Sequence, residues 1–369
     1  MHRAALVARL RSQTFDLLVI GGGIVGAGIA RDAAMRGLRV ALIDKGDFAS
    51  GTSSKTSKLI HGGLRYLEQG HLHLVAESLR ERHIVRTIAP QLVWPMTLSL
   101  PIYRGDARAP WKIACGLMLY DALAMRMGLT RSRMMSRRRA AQDAPRLNAQ
   151  GLRAMGSYVD CQMDDSRLCL ANILQAMSLG AVCSNYVKLL EFQKTGGIIT
   201  GAFVEDLLTQ QRFAVTSSVV INATGPWSDA VRRLSDPRAG TRLAPTKGIH
   251  VVVPQLSPHA LFVQARADGR MIFLLPWAEG YTLIGTTESD VTDLDALSAT
   301  PDEVDYLLTE ANRLFPGARL RAEEVIATFA GARPLLAFAG SATGASREHR
   351  IEVDASGLVS VMGGKYTTF

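Results

Sequence analysis

"FDLLVIGGGIVGAGIARDAAMRGLRVALID", residues 15–44, decides the fold. Phe15 to Ile20 is a short apolar run with the length and composition of a parallel strand buried on both faces. Glycines at 21, 23 and 26 follow, then an alanine-rich stretch, then a second apolar run, Leu38 to Ile43, ending on Asp44. Gly21 suits the tight turn out of the strand, Gly23 lets backbone approach a pyrophosphate, and Gly26 lets the helix pack on the strand. The helix N-terminus adds free N–H groups and the positive end of its dipole. Asp44, 18 residues beyond Gly26, is placed to accept from a ribose hydroxyl. This is a dinucleotide-binding βαβ unit, and its motif leaves NAD and FAD both open.

At 369 residues the chain is long enough for two domains. Its 47% hydrophobic and 20% charged composition is that of a soluble globular protein. The net charge of +9 suits anionic small molecules, acidic lipid headgroups or nucleic acid. With 6% aromatics, no basic–aromatic repeat and no zinc spacing, nucleic acid fits worst, and no metal site is expected. Cys115, Cys161, Cys169 and Cys183 form no C-x-x-C pair and read as free, buried thiols of a reducing compartment. No apolar run reaches the roughly 18 residues of a membrane span. The basic MHRAALVARLR before the first strand mimics a signal peptide, but the glycine fingerprint explains the apolar run better.

"GTSSKTSKLIHGGLRYLEQG", residues 51–70, breaks the alternation an NAD-dependent dehydrogenase would continue. Hydroxyls at Thr52, Ser53, Ser54 and Ser57 are too dense for a helix interior and suit capping or ligand contacts; Gly62 and Gly63 bring backbone close to something flat. Farther on, a helix is expected from His71 to Ala89 with Leu72, Val75, Leu79 and Ile84 on its core face. WPMTLSLPIY (94–103) reads as a strand and RSRMMSRRR (131–139) as a solvated face. Asp164-Asp165-Ser166 opens a helix to Leu179. Val219 to Thr224 runs into a Gly225-Pro226 turn and a further helix. GIHVVV, RMIFLLPW and YTLIGTT form hairpins around Asp268-Gly269 and Glu279-Gly280. Thr300-Pro301-Asp302-Glu303 is a capping box for a helix to Leu314, and strand EVIATFA leads back toward the first domain. The chain closes on VSVMGGKYTTF, a strand and glycine turn followed by donors.

Taken in order, FDLLVIGGGIVGAGIARDAAMRG, TSSKTSKLIHGGLRYLE, INATGPWSD, TKGIHVVVP, PW…YTLIGTT, GARPL and GGKYTT resemble the FAD-dependent, aerobic-type glycerol-3-phosphate dehydrogenases of the D-amino-acid-oxidase-like flavoprotein group. The likeness runs from Phe15 to the last residue. It implies an α/β fold, α+β overall, in which a Rossmann-like FAD-binding domain is assembled from 14–93, 150–230 and 324–369. An antiparallel-sheet substrate domain is inserted as 94–149 and 231–323.

The resemblance implies oxidation of sn-glycerol 3-phosphate to dihydroxyacetone phosphate, with hydride going to flavin N5 and electrons to membrane quinone. It places FAD, held non-covalently, on Gly21, Gly23, Gly26, Asp44, Thr52, Ser53, Ser54, Ser57, Gly62, Gly225 and Gly364. It places substrate contact on Arg65, Tyr66, Arg333, Arg347 and Lys365. His250 is the proton acceptor, with Arg333 and Lys365 completing the catalytic set. The implied location is cytoplasmic, peripheral on the inner face of the membrane, with weak attraction to its anionic surface. The oligomeric state is open, a homodimer among the options. Two alternatives remain: a related oxidase or dehydrogenase of a hydroxy or amino acid, and an inactive remnant. Asp44 stands where the family more often has Glu. Relatives continue past GGKxTT with a helix, and many add a helical C-terminal domain absent from this chain. The expectation is therefore that the segment after Gly364 frays and that this chain holds FAD weakly by itself.

Overall fold

A computed structural model describes residues 2–68, 70–125, 127, 129–291, 293–337 and 349–369. In chain order the elements are α1 (Arg3–Ser12), β1 (Thr14–Ile20), α2 (Ile24–Met35), β2 (Val40–Ile43), β3 (Leu59–Ile60), α3 (Leu72–Ile88), β4 (Val93–Tyr103), α4 (Pro110–Leu123), β5 (Arg133–Ser136), α5 (Arg137–Asp143), β6 (Leu152–Met163) and α6 (Asp165–Ser178). Then come β7 (Val182–Ser184), β8 (Val187–Thr195), β9 (Ile198–Asp206), β10 (Gln211–Asn222), α7 (Ser228–Ser235), β11 (Thr246–Pro254), β12 (Ala260–Gln264), β13 (Met271–Trp277), β14 (Tyr281–Gly285), β15 (Ser289–Asp290), α8 (Pro301–Leu314), β16 (Ala327–Arg333), β17 (His349–Val353) and β18 (Val359–Gly363).

The opening stretch folds as its spacing requires. β1 lies between β2 and β10, parallel to both, and β2 continues in parallel to β7. Buried on both faces, β2 and the Leu17–Ile20 part of β1 carry unbroken apolar runs, while Thr14 and Asp16 lie at the exposed start of β1. α2 seats on β1 because Gly26 has no side chain: a Cβ there would run into the Gly21 carbonyl. Gly21 itself has φ +110°, a left-handed turn that L side chains rarely adopt. This eight-stranded sheet runs β17-β18-β10-β1-β2-β7, with β9 joining β10 and β8 joining β9.

The second sheet has ten strands in the order β15-β11-β14-β13-β12-β4-β6-β3, with β16 on β11 and β5 on β6. The hairpins β12–β13, around Asp268-Gly269, and β13–β14, around Glu279-Gly280, are antiparallel, as the turn residues predicted, and β14 also pairs antiparallel with β11. α8 covers this sheet, and Thr300 and Glu303 form the expected capping box. β3, β6 and β16, which come from the segments 14–93, 150–230 and 324–369 expected to build the FAD-binding domain, pair in the second sheet. Periodicity marks a strand but not its partner: β6 runs antiparallel to β4 over almost its whole length, and β16 lies beside β11 from Thr246↔Arg333 to Val252↔Ala327.

Three local expectations are corrected. In α3 the buried face is Val75, Ser78, Leu79, Arg82 and Val85, whereas Leu72 and Ile84 are exposed. Arg82 is buried because Asp160, Tyr120 and the Val159 carbonyl meet it. Cys115 is exposed on α4, while the other three cysteines are buried. The C-terminal residues dock rather than fray: Tyr366–Thr368 makes a 3-10 turn, Thr367 is buried, and the Phe369 ring lies over Gly28.

Candidate functional site

Two cavities meet between the sheets. The first, of about 670 Å³, opens at the C-terminal ends of β1 and β2 and runs to the Gly363–Lys365 turn. The second, of about 260 Å³, lies under β11 and the Leu64–Leu67 turn. Thr52, Lys55, Thr56, Gly331, Pro334, Gly364, Lys365 and Tyr366 line both. A ligand filling the first cavity therefore presents one end to the second.

The first cavity has the chemistry of a dinucleotide cradle. Gly21 and Gly23 line it at the start of α2; a Cβ on Gly21 would sit 2.5 Å from the Ala223 carbonyl oxygen. Ser53 Oγ accepts from the Ile24 N–H at 2.9 Å, so a hydroxyl already occupies part of the helix N-terminus where a phosphate oxygen would compete. Asp44 lines the cavity and accepts from the Gly22 N–H (2.6 Å) and the Gly46 N–H (2.7 Å). Burial pushes its carboxyl above the usual range, against the two amides, which favour the anion. Each oxygen retains a lone pair for a ribose hydroxyl. Gly225 (φ +54°) turns β10 into α7 at the cavity wall. These residues fit FAD.

The remaining residues expected at the cofactor divide. Thr52 lines both cavities and donates to the Ala332 carbonyl, tying its loop to β16. Gly364 also lines both. Gly26 and Ser54 line neither cavity: Gly26 is a packing position, and Ser54 Oγ donates to Gly51 O at 3.4 Å. Gly62 is buried beneath Tyr120 and Leu79, its N–H donating to Asp160 Oδ1 and Tyr120 Oη. Ser57 lies in the second cavity, facing His250. Hydroxyl density signalled contacts; it could not say which cavity each would face.

The second cavity gathers His250, Arg65, Tyr66, Arg333 and Lys365. Arg347 falls outside the described residues. His250 sits in β11 between Gly285 of β14 and Phe329 of β16, its direct cross-strand neighbours. A Cβ on Gly285 would run into the imidazole, so the glycine of IGTT makes the room the ring occupies. Phe329 stacks on it with centroids 4.9 Å apart. Burial, then Arg333, then Lys58 push its pKa down to about 3, so the ring is neutral at ordinary pH. Gly248, in TKGIH, clears space for the Arg333 guanidinium. Arg333 donates to Thr286 Oγ1 (2.8 Å) and Thr287 O (2.9 Å), which fix its plane. Lys365 Nζ donates to Ser78 Oγ at 3.1 Å and lies 4.2 Å from the Tyr66 ring centroid.

Sequence reading missed several lining residues. Lys55 and Arg270 add cations to the second cavity, and Glu288 adds one carboxylate. Over the first, Lys45 pairs with Asp295 (2.7 Å) and lies over Trp227, whose indole N–H also donates to Asp295. Trp227 and Lys55 stood inside quoted motifs. Arg270 opens the quoted strand RMIFLLPW, whereas Asp295 carried no signal, being brought in by chain that is distant in sequence.

The profile of the FAD dependent oxidoreductase family matches residues 16–366. A glycerol-3-phosphate dehydrogenase of Synechocystis sp. is 41% identical over 98% of this chain and 68% of that protein. The aerobic glycerol-3-phosphate dehydrogenase of Bacillus subtilis is 37% identical over 100% of this chain and 67% of that protein. Among solved structures, the glycerol-3-phosphate dehydrogenase from Bacillus halodurans complexed with FAD superposes with a TM-score of 0.81 at 34% identity. That match covers 99% of this chain and 64% of the other, so this chain spans about two thirds of the proteins it resembles.

Proposed function

Because the chain belongs to the FAD dependent oxidoreductases, among their aerobic glycerol-3-phosphate dehydrogenases, we propose that it oxidises sn-glycerol 3-phosphate to dihydroxyacetone phosphate with non-covalently held FAD. Bound in the first cavity, FAD supplies the hydride acceptor at N5. The observation that carries the substrate assignment is the charge of the second cavity. Lys55, Arg65, Arg270, Arg333 and Lys365 line it against Glu288 alone among the described residues. A monocarboxylate needs one cationic partner, whereas a phosphate dianion uses several, and a guanidinium held in one plane offers the matching fork.

In this reading Arg333, Lys365 and Arg65 hold the phosphate end, with Tyr66 beneath Lys365. His250 takes the hydroxyl proton, a role open to it because the ring is uncharged. Gly21, Gly23 and the start of α2 hold the pyrophosphate, Asp44 the ribose, and Thr52 and Gly364 the end nearer the substrate. The functional division follows the sheets, the FAD-binding half around β1 and the substrate half around β11.

Electrons then pass to membrane quinone, with the protein peripheral on the cytoplasmic face. Among the described residues no helix is long and apolar enough to cross a membrane. Surface docking is supported by α4, whose exposed stripe is Trp111, Cys115, Met118 and Ala122, with Met125 just beyond. Ser132 donates through N and Oγ to Asp121 of α4, which brings the exposed Arg131, Arg133, Arg137 and Arg138 alongside.

The test is dye reduction by the purified chain supplied with FAD, comparing glycerol 3-phosphate with a panel of hydroxy and amino acids. Reduction with glycerol 3-phosphate alone is expected; reduction by a carboxylic acid and not by the phosphate overturns the assignment. Acid precipitation should leave the flavin in the supernatant, and flavin in the pellet removes the non-covalent reading.

A further inference from the structure

Lys58 combines two features that are each rare. Its backbone is left-handed, φ +57°, and its side chain is buried with 6% exposure. A non-glycine residue holds that backbone only where its surroundings over-determine it, and a charge is tolerated inside only when fully partnered. The ammonium donates to the Ser54 carbonyl (2.6 Å) and to both carboxylate oxygens of Asp165 (2.6 and 2.8 Å). It also lies 5.1 Å from the Phe329 ring centroid and 5.6 Å from that of Trp277.

Asp165 is the other half of this node. Its Oδ2 accepts from the Thr56 hydroxyl (2.7 Å), its Oδ1 from the Ser166 N–H (2.8 Å), and its backbone carbonyl from the Tyr366 hydroxyl. One buried ion pair thus ties together the 54–58 segment, the start of α6 and the turn that carries Lys365. Ser57, held between Thr56 and Lys58, puts its Oγ 2.9 Å from His250 Nε2. Phe329 touches both systems, stacked on the imidazole and close to the ammonium.

We propose that Lys58 and Asp165 form a positioning pair for His250, fixing Ser57 against Nε2 and keeping a positive charge near the imidazole so that the ring stays able to accept a proton. This rests on His250 being the proton acceptor. Ser57 from the loop, Phe329 from β16 and Gly285 from β14 contact the ring, and Arg333 of β16 and the Lys58 ammonium are near enough to act on its charge. Of these only Arg333 and Lys58 are charged, and both oppose protonation.

The experiment follows the His250 imidazole by NMR as pH is lowered, in the full chain without substrate, with and without added FAD. The ring is expected to stay neutral down to at least pH 5. In Lys58→Met its midpoint should rise by at least one pH unit, a tenfold gain in proton affinity, and the acid limb of turnover should move the same way. Lys58→Arg keeps the charge, so its midpoint should stay low even where turnover falls. An unmoved midpoint in Lys58→Met, or equal rises in Lys58→Met and Lys58→Arg, overturns the proposal. If Lys58→Met does not fold, Lys58→Met/Asp165→Leu removes both charges and is judged by the same rise. A shifted midpoint in a protein that fails to oxidise glycerol 3-phosphate would leave the pair standing and sink only the functional reading.

Discussion

Ser57 Oγ lies 2.9 Å from His250 Nε2, while Nδ1 of the same ring is buried with no hydrogen-bond partner among the described residues. Among the described residues no carboxylate orients this imidazole from behind; a stacked phenyl ring and a cross-strand glycine hold it instead. Such a ring can receive a proton, but burial and the nearby Arg333 and Lys58 charges oppose its staying charged.

That arrangement gives stability a pH signature. Unfolded, the imidazole binds a proton below about pH 6.5; folded, it does so only below about pH 3. The unfolded state therefore holds more protons between these values, and stability falls as pH drops from 6.5 toward 3, by about 1.4 kcal/mol per pH unit for one full proton. His250→Gln should flatten the dependence by close to one proton, measured by urea unfolding at several pH values in that window. Equal slopes in the two proteins would show that His250 is not the group responsible. His250→Ala should lower kcat more than it raises KM, the pattern of a lost proton acceptor.

Arg333→Lys keeps the charge and loses the fork. The guanidinium meets Thr286 Oγ1 and the Thr287 carbonyl together, and an ammonium cannot hold that plane while also gripping two phosphate oxygens. The expected loss in kcat/KM for glycerol 3-phosphate is about 1–3 kcal/mol, roughly five- to 150-fold. Steady-state kinetics indistinguishable from those of the unsubstituted protein would take Arg333 out of the substrate site.

The first βαβ unit was legible because each of its glycines answers a local constraint, and the α8 capping box because Thr300 and Glu303 are three residues apart. The failures share one cause. Arg82 was not among the residues expected on the core face of α3, and its partner Asp160 is 78 residues away on β6. Ser57 looked like a cofactor contact, yet its partner His250 is 193 residues away. The glycines of TKGIH and IGTT identified the family but showed no purpose until their cross-strand neighbours were known. Polar groups whose environment is made by remote chain are invisible to spacing.

Trp111 (65% exposed), Met118 (66%) and Met125 (80%) present apolar surface beside the arginines after Ser132. Binding to vesicles containing anionic lipid is therefore expected, weakening as salt rises because the arginine contribution is screened. Trp111→Ser/Met118→Ser should weaken it at every salt concentration, leaving dye reduction in solution unchanged. Co-sedimentation with neutral and anionic vesicles reads both effects. Retention that ignores lipid charge, salt and both substitutions would move the docking surface away from α4.

Gly248 and Gly285 make the sharpest separation between binding and turnover. A Cβ on Gly248 would meet the Arg333 guanidinium and lie 2.5 Å from Thr286 Oγ1; one on Gly285 would lie 2.7 Å from His250 Cγ and 2.8 Å from its Nε2. Arg333 has a long side chain that can swing aside, giving up its hydrogen bonds but not the fold. His250 has no such freedom, because Phe329 stacks on it and Ser57 holds Nε2. Gly248→Ala should therefore raise KM for glycerol 3-phosphate with little loss of thermal stability. Gly285→Ala should lower kcat and also destabilise, by about 1–3 kcal/mol as the crowded core yields. Kinetics and thermal melts on the two variants test this together. A Gly285→Ala protein with normal kcat would show that the position of the His250 ring does not matter to the reaction.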